Sequence, residues 1–150
     1  DCVPLLMEDT KNGVIAAVHC GWRSTVQDIM AEAVRKMTEL GAEPKEIHAA
    51  IGESIGFCCF ETGPEVPEAI YKLLPHDHEG LVRPGKAPDK YYVDLREAIR
   101  RRLMQLGIPA EQIGVSEECT MCSPDKYWSH RATQGKRGHQ AAMIVLDTNR

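Results

Sequence analysis

Two short apolar runs, Val3-Pro4-Leu5-Leu6-Met7 and Val14-Ile15-Ala16-Ala17-Val18, flank a polar stretch that ends in Asn12-Gly13. Asn-Gly readily adopts the positive φ angles of a tight turn, so the pair reads as a β-hairpin of buried strands. A chain that opens on antiparallel neighbours does not start as a regular βαβ winding, which narrows the fold at once. The pattern then changes period. Val26, Ile29, Met30, Ala33, Val34, Met37 and Leu40 recur at helical spacing behind Ser24 and Gln27, which have capping-box spacing, and Gly41 stands where a helix would end.

Ile47 to Ile51 reads as another strand, and the glycine-punctuated stretch from Gly52 to Cys59 as a loop. Gly63-Pro64 opens a short helix through about Leu74. His76 to Lys90, rich in charge, glycine and proline, is expected to be an exposed excursion. A second long helix spans Asp94 to Leu106, with Asp94 and Glu97 at capping-box spacing and Gly107 as its stop; strands are expected near Gly114 to Ser116 and Ala142 to Leu146. The expected fold class is α/β (α+β): a layered mixed sheet with flanking helices, in one domain over residues 1–150.

A chain of 150 residues, 43% hydrophobic, can bury one good core. Its net charge of −4 offers no phosphate-backbone partner, and the basic triplet Arg100-Arg101-Arg102 lies in a helical pattern that a solvated face explains, so no nucleic acid is expected. No apolar run reaches the roughly 18 residues of a membrane span and no secretory pattern opens the chain, which points to the cytoplasm. The six cysteines are therefore expected as reduced thiols, in metal binding or packing. The missing initiator Met and the strand-like start suggest that an N-terminal portion lies upstream.

Chemistry concentrates at His19-Cys20-Gly21-Trp22-Arg23, where a buried strand meets a helix. His19 is either a packed histidine or a ligand, and Trp22 either a core anchor or part of a site. Arg23, beside a helix N-terminus, is a planar donor suited to an anion. Cys2 on the first strand supplies a thiolate, and thiolate with imidazole selects zinc or copper. A catalytic zinc needs three protein ligands and an open position, so the pair is incomplete. Within the chain the further candidates are Cys20, Cys58, Cys59, Cys119, Cys122 and the other histidines. Cys119-Thr120-Met121-Cys122 has the spacing of a structural zinc or redox pair but also of incidental thiols, the adjacent Cys58-Cys59 reads as loop packing, and His76 and His78 as solvated. Tyr127-Trp128-Ser129-His130-Arg131, with Gln134 to Gln140, is either a binding surface of aromatic faces and cations or a polar loop.

Asp1-Cys2-Val3-Pro4, Val18-His19-Cys20-Gly21-Trp22-Arg23, Ile51-Gly52-Glu53-Ser54-Ile55-Gly56 with Cys58-Cys59-Phe60-Glu61, and Ser129-His130-Arg131 with Gly138 and Gln140-Ala141-Ala142 together resemble, over nearly the whole chain, the laccase-domain family. These are the YfiH-like or polyphenol oxidoreductase proteins, now regarded as purine nucleoside phosphorylases. The resemblance implies a layered α/β fold of its own type and a metal, usually zinc, held by two histidines and a cysteine. The cysteine matches Cys2 and the second histidine His19, while the first histidine would precede residue 1, so residues 1–150 alone would bind that metal weakly or not at all. It implies purine nucleoside and phosphate as partners, with adenosine deamination as a possible side activity; for that reaction Arg23, at the helix N-terminus, is the candidate anion contact, and Trp22, Ser54, Ser129 and Arg131 are the candidate substrate-binding residues. The sequence departs from the family pattern at Cys20 (commonly Ala), Ser24 (Gly), Glu53 (Pro), Ala132 (a second Arg) and Lys136-Arg137-Gly138-His139, where a Thr-Gly-Arg stretch is usual. The rival readings are a copper-dependent polyphenol oxidase, for which six histidines are too few to build a multi-copper cluster, and a non-catalytic metal- or partner-binding domain.

Overall fold

The structure, a computed structural model, describes residues 1–147. The hairpin forms from β1 (Val3–Asp9) and β2 (Val14–Cys20), antiparallel, with Val3 opposite Cys20 and Pro4 opposite His19. β1 also pairs antiparallel with β3 (His48–Ile51), which pairs in parallel with β7 (Ile113–Val115), giving the sheet order β2-β1-β3-β7. A smaller antiparallel sheet, β4-β6-β5, is built from Glu61–Thr62, Tyr91–Val93 and Val82–Pro84. The helices are α1 (Trp22–Val26), α2 (Ile29–Glu39), α3 (Glu65–Leu73), α4 (Leu95–Gln105) and α5 (His130–Thr133). This is the layered mixed α/β architecture expected. Among the described residues no helix is long and apolar enough to cross a membrane.

The alternation along β1 explains the layers. Val3, Leu5 and Met7 are fully buried and join Met30, Val34 and Met37 of α2 and Ala98, Ile99 and Leu103 of α4 in the core. Each large side chain so buried contributes about 1.5–3 kcal/mol. Cys2, Pro4 and Leu6 point the other way. Pro4 lies just beyond the β3 pairing, and its ring comes so near Gly52 that any side chain there would meet it at 2.8 Å.

Several expectations require correction. The single helix from Ser24 to Leu40 is two helices. Ser24 does not cap; its hydroxyl donates to the carbonyls of His19 and Gly21. The chain breaks at Asp28, which has φ 63 and ψ 43, and the Arg102 guanidinium grips its carboxylate at 2.7–3.1 Å. A left-handed residue cannot continue a right-handed helix, so periodicity alone missed the break. Ala142–Leu146 is not a strand: no described strand pairs with it, and Met143 and Val145 are 82% and 84% exposed. The excursion 76–90 contains β5 and buries Leu81, while His78 is half-buried, with Nδ1 2.9 Å from the Leu74 carbonyl and its ring against Tyr71. Nor is the arginine triplet a simple solvated face. Arg101 donates to the carbonyls of Asp77 and Glu79 and to Glu97, so α4 holds the excursion in place. Asp94 does cap α4, accepting from the Glu97 N–H at 3.0 Å.

Asp9 closes the hairpin from inside, accepting from the Asn12 backbone and side chain and from the Glu43 N–H at 2.8–3.0 Å. Burial pushes its carboxyl up, but the bonds from Asn12, Glu43 and Lys11 outweigh this and hold it below the usual carboxylate value. A group with a depressed folded pKa stabilises above its unfolded pKa, about 3.9, and that stability is lost as pH falls through the folded value. Urea titrations from pH 6 to pH 2 should therefore show a steeper acid loss for the native protein than for Asp9→Asn. Asp28→Ala should destabilise by about 1 kcal/mol more than Asp28→Gly, because both lose the ion pair but glycine is unstrained at positive φ.

Candidate functional site

The face of β1 and β2 turned away from the core floors an open cavity of ≈ 860 Å³. Strand register builds the floor. His19 lies opposite Pro4, and continuing the pairing sets Gly21 opposite Cys2, so Cys2 and His19 project on one face with only a glycine between them. A side chain at Gly21 would touch Cys2 Sγ at 3.6 Å and His19 Nε2 at 3.7 Å. Both residues are exposed to the cavity. The neighbouring Cys20 points into the core instead, and burial pushes its thiol up to about 12, so it stays protonated and unsuited to ligation.

The opposite wall comes from the segment after residue 126. Tyr127, Trp128, His130, Arg131, Arg137 and His139 line it. Arg131 donates to the Glu61 carbonyl at 2.7 Å and sits over the Phe60 ring. Arg137 donates through Nη1 to the Gly138 carbonyl, while its Nε is buried with no hydrogen-bond partner among the described residues. Gln140 accepts from the Trp128 backbone N–H, and Gly138 lies against the indole.

Asp1 joins floor to wall. Its carboxylate accepts from Thr120 Oγ1 at 2.6 Å, Ser129 Oγ at 3.1 Å and the Arg131 N–H at 2.7 Å, and its carbonyl accepts from the Ile55 N–H. The residue adjacent to Cys2 thus positions Arg131.

Of the residues singled out in the sequence, Cys2, His19 and Arg131 meet at this cavity. Ser129 is buried beneath it, caps α5 and donates to Asp1. Ser54 is fully buried with its hydroxyl unpaired among the described residues. Trp22 and Arg23 stack on each other at 4.5 Å and do not line the cavity. Arg23 lies in the first turn of α1, which is five residues long. No sequence pattern marks Asp1 as the anchor of Arg131, because the two are 130 positions apart and meet only in the fold.

The cysteine pairs set aside as packing or incidental also converge. The sulfurs of Cys58, Cys59, Cys119 and Cys122 all lie within 4.8 Å of one another, near enough to hold one metal ion. Burial pushes the Cys119 thiol up, but N–H groups of Gly56, Cys122 and Met121 and the Cys58 thiol bring it down to about 7.

Residues 1–147 match the family described as multi-copper polyphenol oxidoreductase laccase, and the chain belongs to it. It is 38% identical over 147 residues to the purine nucleoside phosphorylase YlmD of Bacillus subtilis, covering 97% of this chain and 52% of that protein. It is 40% identical over 131 residues to the adenosine deaminase RL5 of an unknown prokaryotic organism, covering 87% of this chain and 50% of that protein. The crystal structure of YlmD from Geobacillus stearothermophilus superposes with a TM-score of 0.86 at 34% identity, over 92% of this chain and 51% of that one. The chain therefore spans about half the length of these relatives.

Asp1→Ala should lower stability by about 2 kcal/mol, because it leaves the buried Thr120 hydroxyl and Ser129 without their charged acceptor. Amide exchange at Arg131 should rise in the same variant; unchanged protection there would remove Asp1 as its anchor.

Proposed function

We propose that this protein is a zinc-dependent purine nucleoside phosphorylase of the cytoplasm, acting on adenosine, inosine or guanosine with phosphate. The observation that carries the reading is the convergence of Cys2 Sγ and His19 Nε2 beside Gly21, on the floor of a cavity walled by aromatic and cationic side chains. The names of the relatives in Bacillus subtilis and other bacteria support it.

The donor set suits zinc: a thiolate and an imidazole, on one strand face, open to a cavity large enough for a nucleoside. Cys2 and His19 would supply two of its ligands, and a bound zinc supplies Lewis-acid polarisation. Phosphorolysis forms a bond from a phosphate oxygen to the ribose anomeric carbon while the bond to the purine nitrogen breaks. Arg131 and Arg137, which line the cavity, would hold the phosphate oxyanion, in place of the Arg23 contact foreseen from sequence. Trp128 and Tyr127 would stack on the purine. His130 and His139, which line the cavity, offer imidazoles as proton donors to the departing base.

Deamination of adenosine is a second activity of the same cavity, favoured by the name of the 40%-identical relative. Copper-dependent phenol oxidation, which the family description suggests, is the rival.

The protein should release hypoxanthine from inosine only when phosphate is present. Cys2→Ser or His19→Ala should abolish release, and Arg137→Ala should raise the KM for phosphate by about tenfold, corresponding to about 1.4 kcal/mol. Copper-dependent phenol oxidation without any phosphate-dependent hypoxanthine would overturn the proposal.

A further inference from the structure

Cys58 and Cys59 lie in the loop before β4, and Cys119 and Cys122 in a turn some 60 residues later. Their convergence is enforced by neighbours that have no part in the cavity. Arg83 lies over the Phe57 ring at 4.7 Å and donates to the Phe57 carbonyl, anchoring the first loop. Arg96 donates to the carbonyls of Ser116 and Glu118, anchoring the approach to the second. Between them Gly56 is buried, and its N–H donates to Cys119 Sγ at 3.2 Å. A side chain at position 56 would meet Cys58 Sγ and the Cys119 Cβ at 3.2 Å and Arg96 at 3.0 Å, so the approach depends on glycine.

We propose that Cys58, Cys59, Cys119 and Cys122 form a tetrathiolate site for one structural zinc ion, built of different side chains from the Cys2–His19 pair. Zinc–sulfur bonds of about 2.3 Å in a tetrahedron place the sulfurs about 3.8 Å apart. Cys122 Sγ lies 3.7 Å from Cys58 Sγ and 3.4 Å from Cys59 Sγ, and no pair in the group exceeds 4.8 Å. The set is thus close to its bound dimensions before any ion enters. A disulfide scheme explains it less well, since Cys122 approaches both adjacent cysteines and could bond only one. Four thiolates select zinc or iron, and zinc, whose filled d shell adds no ligand-field preference, tolerates the uneven edges that adjacent cysteines impose on the tetrahedron. The Gly56 N–H supplies the hydrogen bond to sulfur that commonly supports a thiolate ligand. Binding releases the thiol protons and ties two distant loops together.

The consequence reaches the cavity through the backbone. Thr120, between two of the ligands, donates to Asp1, and the loop carrying Cys58 and Cys59 continues into Phe60 and Glu61, the seat of Arg131. Zinc here would stiffen the wall without touching substrate.

The test uses the purified protein carrying Cys2→Ser and His19→Ala, which keeps all four thiols. Its metal content is measured, and X-ray absorption reads the ligand shell. Zinc surrounded by sulfur alone at about 2.3 Å is the expected result. Cobalt exchanged into the same variant should give the strong sulfur-to-cobalt charge-transfer absorption of a tetrathiolate, and adding Cys58→Ser and Cys122→Ser should remove it. A nitrogen- or oxygen-containing shell, iron in place of zinc, or a disulfide within the four found by mass spectrometry would each overturn the proposal. If the four-fold variant does not fold, the absorption measurement on the two-fold variant still decides. Phosphate-dependent hypoxanthine release that persists in the two-fold variant, with the sulfur-only zinc signal present, would fault the cavity reading alone.

Discussion

The antiparallel register of β1 on β2 is the constraint from which the site descends. Side chains alternate along a strand, so one residue of slippage would send Val3, Leu5 and Met7 to the cavity and Cys2, Pro4 and Leu6 into the core. The core strongly resists this, because those inward side chains are fully buried against α2 and α4. The turn resists it as well, with Asp9 collecting three hydrogen bonds inside the hairpin end. Hydrophobic burial on one face therefore sets the juxtaposition of a thiol and an imidazole on the other. Asp1 extends the same logic outward, since the strand that places Cys2 also presents a carboxylate that collects Thr120, Ser129 and Arg131.

The helical layer rests on a polar contact. Asp28 interrupts what would otherwise be one helix, and Arg102 from α4 reaches it across the interface. The break redirects the chain so that α1 follows β2 closely while α2 lies on the sheet, burying Met30, Val34 and Met37. With side chains 23% and 28% exposed, the pair is sheltered enough for its geometry to matter more than an open surface contact would.

Local signals were legible in the sequence where the physics is local. The Asn12-Gly13 turn, the alternation in β1 and the Asp94 cap on α4 each follow from a few neighbouring residues, and each appears in the structure. The junction at His19 was legible because a strand ended and a helix began there. What failed depended on partners distant in sequence. The break at Asp28 is held by Arg102, 74 positions away, and Arg101 of the same triplet bonds the excursion. Ala142–Leu146 has the composition of a strand, but a strand exists only by pairing, and composition cannot supply a neighbour. The cysteine pairs were undervalued for the same reason, since neither pair is a cluster until the loops meet.

Pro4 and Gly52 show how such distant dependence constrains change. The pyrrolidine ring at the head of β1 occupies the volume that a Cβ at position 52 would need. The two positions therefore cannot drift independently, and the order of substitution matters. Replacing the proline first opens space for a side chain at position 52, whereas replacing the glycine first passes through a clash. Positions 4 and 52 are thus sterically coupled, with one order of substitution open and the other blocked.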